Sequence, residues 1–270
     1  MKKWESNFQL GDTITEEQLD FFDTHGFIVF RNFISQEKVN VYLNEFKRLE
    51  STWLSENRDK INGTPLKFGK DEKGNKTIQR LCFTSLFSDE FHQLLDNPQL
   101  TNLMAFLYPY EGRIAENEKD GLVINNYLNT PNSSFTQMGW HTDAPRDLFL
   151  GQKIMPMLNV GIHLDNCPFE NGGLRVIPGT HKQNMLKLLF GKKYFIDNND
   201  DSREVGFDIN AGDLSVHDGR LWHRVKQSPV FGEASRRRVM YVPMVTGKYK
   251  PKHENSKTPF YHRFLSKLPH

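Results

Sequence analysis

The stretch most able to do chemistry in this chain is Met138-Gly139-Trp140-His141-Thr142-Asp143-Ala144-Pro145, where a histidine and an aspartate stand two residues apart. On an extended strand, residues i and i+2 share a face, so a strand over Phe135 to His141 would turn His141 and Asp143 toward one point. A neutral imidazole and a carboxylate are two donors of a metal site. A second histidine would complete the 2-His-1-carboxylate set that binds non-haem Fe(II) and leaves coordination positions open. A lone His-x-Asp also arises when a surface carboxylate merely orients a histidine, so the third donor decides the matter. The C-terminal half offers His163, His181, His217 and His223, and spacing alone leaves the choice open. His181 falls in a Pro-Gly-Thr-His turn, which reads as a loop or substrate-side position. His163 falls on the polar face of its strand, toward either a cavity or solvent.

Such residues need a scaffold to hold them. With 270 residues, 37% hydrophobic and 25% charged, the chain is ordinary globular material, expected to form a single large domain. The balance of 35 Lys+Arg against 33 Asp+Glu gives no electrostatic ground for a nucleic-acid or anionic-membrane partner. Cys82 and Cys167 are too few for a disulfide framework and lack the paired spacing of a zinc site. The segment Met1 to Leu10 is polar and no apolar run reaches membrane-spanning length, so a cytoplasmic protein is the expectation.

Thr15-Glu16-Glu17-Gln18 is a capping box opening a helix through Leu19, Phe21 and Phe22, with Gly26 as its stop. Phe27 to Phe30 reads as a short buried strand. Ser35 caps a second helix in which Val39, Leu43, Phe46 and Leu49 recur at helical spacing. Residues 56–77, polar and punctuated by Asn62-Gly63, Pro65, Gly69 and Gly74, read as a long exposed loop of the kind that serves as a lid. Asn97-Pro98 starts a further packing helix. From Leu122 the pattern changes to short strands: Leu122 to Ile124, Phe135 to Trp140, Leu158 to Leu164 with clean alternation, Leu174 to Ile177, Leu214 to His217 and Arg238 to Val245. A helix over Lys182 to Phe190 is expected to interrupt them. Helices followed by short strands indicate a β-sandwich or barrel with a helical buttress.

Taken in order, Trp140-His141-Thr142-Asp143, then Asn171-Gly172-Gly173-Leu174-Arg175-Val176-Ile177-Pro178-Gly179-Thr180-His181-Lys182, then Gly212-Asp213 with His217, His223 and an arginine run, resemble the phytanoyl-CoA dioxygenase (PhyH) family. Thr15 to Ser35 also resembles the family's opening, so the resemblance spans about residues 14 to 245. It implies an α+β fold with a mainly β core: a double-stranded β-helix (jelly-roll, cupin-like) over about residues 120–246. Helices of residues 1–110 would buttress this core, and residues 247–270 would form a tail. It implies Fe(II), 2-oxoglutarate as cosubstrate and molecular oxygen. Carried over residue by residue, it makes His141, Asp143 and His223 the iron ligands and His217 the family's non-liganding histidine.

The distal carboxylate of 2-oxoglutarate needs a cation, and a guanidinium grips a carboxylate with two parallel hydrogen bonds. The resemblance puts this arginine at the last barrel strand, among Arg236, Arg237 and Arg238. Counting back from Val239-Met240-Tyr241-Val242 favours Arg237, and strand alternation keeps all three from facing inward. Asn125 and Asn129 stand where relatives place amides near the cosubstrate. Gln137, Trp140, Arg80, Arg146 and Arg175 are candidates on the substrate side.

Two imidazoles and a carboxylate leave three octahedral positions, two for 2-oxoglutarate and one for oxygen. Decarboxylation of the cosubstrate to succinate then supplies an oxidant for an unactivated C–H bond, while the protein sets orientation, dryness and access. In related halogenases a small residue replaces the carboxylate to admit halide, so Asp143 argues for hydroxylation. Desaturation, epimerisation and ring formation are alternative outcomes of the same cofactors. A catalytically inactive β-sandwich binding protein and a metal-dependent hydrolase are rivals from other classes. The intact His, Asp, His and Arg positions argue against the first, and the single His-x-Asp against the second. The expected substrate is a free small molecule, an amino acid or secondary metabolite rather than an acyl-CoA, with no nucleic-acid or membrane partner. Monomer and homodimer both remain open.

Overall fold

The computed structural model describes residues 2–5, 7–131, 133, 135–149 and 153–259, with the side chains of Arg146 and Phe149 outside the description. The helix Glu16–His25 begins as its capping box dictates. The Thr15 hydroxyl accepts from the Gln18 N–H, and the Gln18 side chain accepts from the Thr15 N–H. It stops at Gly26, whose φ of 79° is left-handed and whose N–H donates to the Phe22 carbonyl. A Cβ there would also meet the His181 ring at 2.3 Å, so conformation and close approach both require glycine.

Gly26 turns the chain straight into the strand Phe27–Phe30, buried along its length and antiparallel to Leu214–Asp218. The N-terminal region therefore contributes a core strand as well as a buttress. The helix Gln36–Ser55, capped by Ser35, buries Val39, Tyr42, Phe46, Leu49 and Trp53 against the apolar face of that sheet. Each large side chain so buried is worth about 1.5–3 kcal/mol.

Two sheets face each other. The larger runs, in spatial order, Phe27–Phe30, Leu214–Asp218, Met157–His163, Arg237–Val245, Val123–Tyr127, Lys76–Leu81 and Lys67–Lys70, with Arg113–Ile114 also paired to Arg237–Val245. The smaller runs Lys2–Trp4, Val205–Phe207, Gly173–Val176, His223–Lys226 and Met138–His141. Pairing is antiparallel except at the Lys2–Trp4 edge. This is the jelly-roll form of the double-stranded β-helix, with few helices. Along Met157–His163 the alternation seen in sequence is realised: Leu158, Val160 and Ile162 enter the helix-backed core, and the other face turns toward the second sheet.

Three local expectations are corrected. Residues 56–77 are not a loop: Lys60–Ile61 and Thr64–Pro65 form a hairpin around Asn62 and Gly63, both at positive φ, as a two-residue turn requires. Lys67–Lys70 then pairs with Lys76–Leu81, which pairs with Val123–Tyr127, so this polar segment extends the larger sheet. The strand that leads into the His-x-Asp pair covers Met138–His141 rather than Phe135 to Trp140 and leaves Asp143 in the loop beyond it, and the late helix is confined to Met185–Phe190. Beyond Val245 the chain folds back, with the buried Tyr249 hydroxyl donating to Asp147 at 2.9 Å. Among the described residues, no helix is long and apolar enough to cross a membrane.

Candidate metal centre

His141 and His223 are direct cross-strand neighbours, paired in register between Met138–His141 and His223–Lys226. Their ring centroids lie 4.1 Å apart. Asp143 joins them by a different route from the shared strand face. The strand ends at His141, and the loop that follows is clamped where the Asp143 and Ala144 N–H groups both donate to the Gly219 carbonyl, at 2.8 and 2.9 Å. Gly219 lies in the turn just before His223, so one carbonyl ties the aspartate loop to the second histidine's strand. Donor atoms of His141, Asp143 and His223 fall within 4.8 Å of one another, and all three residues are buried.

The rings are held in a definite tautomer. Nδ1 of His141 lies 2.8 Å from the Gly139 carbonyl and Nδ1 of His223 lies 3.0 Å from the Leu221 carbonyl. A carbonyl only accepts, so Nδ1 is the protonated nitrogen and Nε2 carries the lone pair in both. Burial, with the neighbouring His141 and His217 rings, pushes His223 well below the ordinary histidine range, which keeps it in the neutral form a metal needs. Asn159 donates to the Asp143 carboxylate at 3.0 Å, and Phe195 stacks on His141 at 4.7 Å. Two oriented imidazoles, one fixed carboxylate and a dry surround fit an octahedral cation with open positions.

Of the other candidate histidines, His217 comes nearest. It sits on the opposite sheet, its Nε2 3.7 Å from the Asp143 carboxylate, with both ring nitrogens unpartnered among the described residues. His163 is buried and bonded to the Ser215 hydroxyl at 3.0 Å. His181 packs under Gly26 and meets the Asp23 carbonyl at 2.9 Å, so it is part of the scaffold.

The triad lines a cavity of about 600 Å³, which Asn125, Gln137 and Arg80 also line. Arg80 is paired with Asp120 at 2.9 Å, and Asn125 donates to the Tyr127 hydroxyl while its own carbonyl oxygen is unpartnered among the described residues. The three arginines differ sharply. Arg236 is tied to Glu233 and Asn126, and Arg238 to Asp165 through two nitrogens. Arg237 is buried behind Tyr127 and Thr136 and donates to the carbonyls of Lys226 and Thr136 at 2.7 and 3.2 Å, with no carboxylate at hand among the described residues. A buried guanidinium held only by neutral carbonyls lacks its counter-ion.

Three expected site residues lie elsewhere. Trp140 points to the face opposite His141, as strand alternation demands, and donates to the Asn199 carbonyl at 2.8 Å. Arg175 is buried against the carbonyls of Gly172, Leu174 and Phe169 and stacks on Phe169. Asn129 donates to the carbonyls of Ser228 and Val230, bracing the turn before Arg237. The Arg146 side chain lies outside the described residues. Asn159 and the cavity residue Lys67 were missed by sequence reasoning. Asn159 had a signal, its place on the polar face of the alternating strand that His163 shares, whereas Lys67 sits in a segment whose polarity looked like solvent exposure.

Residues 22–229 match the family model described as phytanoyl-CoA dioxygenase (PhyH). The ectoine dioxygenase of Bordetella parapertussis is 22% identical over 181 residues, covering 65% of this chain and 52% of that protein. The chain thus spans about half the length of that relative. Among solved structures, the non-haem carbocyclase SnoK of nogalamycin biosynthesis superposes with a TM-score of 0.65 at 16% identity, covering 97% of this chain and 94% of its own. The epimerase SnoN, solved with Fe3+, α-ketoglutarate and nogalamycin RO, scores 0.63 at 16% identity over 94% and 90%. EctD from S. alaskensis with bound Fe scores 0.64 at 16% identity over 93% and 82%. At these identities the likeness is one of fold.

Proposed function

The chain belongs to the phytanoyl-CoA dioxygenase family, and on that premise we propose that it is an Fe(II)- and 2-oxoglutarate-dependent dioxygenase that hydroxylates an unactivated C–H bond of a small molecule. The observation carrying this reading is the buried cluster of His141, Asp143 and His223 on the wall of a cavity large enough for a cosubstrate and a small substrate. In this reading Nε2 of both histidines and the Asp143 carboxylate would hold the iron. Arg237, which touches the cavity-lining Thr136 and Tyr127 from behind, would take the distal carboxylate of 2-oxoglutarate as its missing counter-ion, and Asn125 lines the same cavity. When bound, iron and 2-oxoglutarate supply the oxidising power for C–H cleavage. The residues of this chain do the rest. Nδ1–H bonds to Gly139 and Leu221 fix ring orientation, Asn159 fixes the carboxylate rotamer, and the apolar wall of Phe135 and Tyr127 keeps water away from the cosubstrate pocket.

Asp143 leaves no protein-side vacancy for a halide, which favours hydroxylation over halogenation. The names epimerase and carbocyclase of SnoN and SnoK make stereochemical inversion and ring closure the second reading for the same site. Anaerobic Fe(II) titration followed by succinate release in air, with and without 2-oxoglutarate, tests the proposal. Protein that takes up no iron, or yields no succinate beyond a His141→Ala control, refutes it.

A further inference from the structure

Among the described residues, the cavity wall carries three cationic side chains, and two of them are neutralised: Arg80 by Asp120 at 2.9 Å and Lys119 by Asp147 at 3.1 Å. The third is Lys67. Its ammonium lies over the Phe135 ring at 4.5 Å, and no carboxylate partners it among the described residues. The charged neighbour it does have is Arg80, directly opposite in register, whose like charge adds to burial in pushing Lys67 down to about 8.

Backbone register aims this lysine into the site. Lys67 pairs with Arg80 across one strand boundary and Arg80 with Asn125 across the next, so the three form one row across three adjacent strands. All three line the cavity. Adjacent strands lie about 4.8 Å apart, so Lys67 stands about 10 Å from the Asn125 backbone, at the outer side of the cavity. Phe135 stacks on Tyr127 with centroids 4.6 Å apart, and Arg237 lies over Tyr127 at 5.6 Å. Lys67 and Arg237 therefore attend different members of one aromatic stack and offer two anion positions rather than one.

We propose that Lys67 is the anchor for a carboxylate on the substrate, so that the molecule oxidised is a small carboxylic acid whose reacting carbon is held toward His141, Asp143 and His223 while its anion pairs with the Lys67 ammonium. This rests on the reading of the site as an Fe(II)/2-oxoglutarate centre, since it assigns Arg237, the nearby cation that also lacks a carboxylate partner among the described residues, to the cosubstrate. A charge-assisted hydrogen bond in a low-dielectric wall discriminates an acid from its uncharged amide, which is isosteric but brings no charge.

The test is equilibrium dialysis under anaerobic conditions, with Fe(II)- and 2-oxoglutarate-loaded protein against a set of amino acids and short aromatic and aliphatic acids, each matched with its primary amide. Retention of acids but not amides is expected. Lys67→Met should weaken that retention about tenfold or more, as the loss of one charge-assisted bond implies, while Lys67→Arg restores it to within about threefold. The affinity for 2-oxoglutarate should change less than about twofold in both variants. Three results overturn the proposal: amides held as well as acids, acids held equally by Lys67→Met, or no acid held by protein that does hold both Fe(II) and 2-oxoglutarate. Loss of 2-oxoglutarate rather than of acids in Lys67→Met overturns it as well and reassigns Lys67 to the cosubstrate. Wild-type protein that takes up neither Fe(II) nor 2-oxoglutarate marks failure of the functional reading itself.

Discussion

Replacing His163 with glutamine separates a buried structural histidine from a metal ligand, and the structure sets the size of the effect. His163 is 5% exposed and its Nε2 meets the Ser215 hydroxyl at 3.0 Å. Burial pushes it from 6.5 down to about 4. The folded state thus refuses a proton that the unfolded chain accepts near pH 6.5, so stability falls as pH drops below that value and levels off below about 4. At pH 5 the unfolded chain is protonated and the folded one is not. The gap of about 1.5 pH units at 1.36 kcal/mol each costs about 2 kcal/mol relative to neutral pH. Urea denaturation of metal-free protein at pH 7, 6 and 5, followed by tryptophan fluorescence, should show wild type losing about 2 kcal/mol more than His163→Gln over that range. The other histidines titrate equally in both proteins and cancel in the difference. Parallel pH curves would falsify the assignment, as would loss of Fe(II) binding by His163→Gln at pH 7.

Three further outcomes are expected. His223→Ala should abolish Fe(II) uptake in a dialysis assay, whereas His217→Ala, whose Nε2 lies 3.7 Å from the Asp143 carboxylate, should weaken uptake by no more than about tenfold to a hundredfold, the usual cost of losing a group that supports a metal ligand. Arg237→Met should raise the dissociation constant of 2-oxoglutarate about tenfold to a hundredfold, read by quenching titration, with Fe(II) affinity little changed, because a charge-assisted pair is worth about 1.5–3 kcal/mol. Gly139→Ala should lower stability by about 1–3 kcal/mol, since its Cβ would lie 2.5 Å from the Phe195 carbonyl oxygen. It should also displace Phe195 from His141, visible as weakened iron binding.

Local physics was legible in the sequence because it acts over a few residues. Thr15 and Gln18 cap a helix through bonds three residues apart, Gly26 is required by one left-handed φ, and Leu158 to Leu164 alternate because a strand has a period of two. The segment of residues 56–77 misled for the same reason. Its polar composition is a local property, but its strands exist through pairing with Val123–Tyr127, far along the chain. Counting back along the last strand favoured Arg237 over Arg236 and Arg238, but what each guanidinium pairs with is seen only in the fold, where Glu233 and Asp165 claim the outer two.

What the sequence alone determined is the inventory and order of parts: a His-x-Asp, a later run of histidines, an arginine cluster, and helices followed by alternating strands. The motif order also carried the family. The tertiary structure decided which parts meet. Register between Met138–His141 and His223–Lys226 sets His223 against His141, and the Gly219 carbonyl, rather than a shared strand face, brings Asp143 to them. Strand alternation then turns Trp140 away, and the salt bridges of Arg80 and Lys119 leave Lys67 without a counter-ion among the described residues. Donor geometry and charge balance are relations between residues tens of positions apart, which no local preference encodes, so they become visible only when the sheets close.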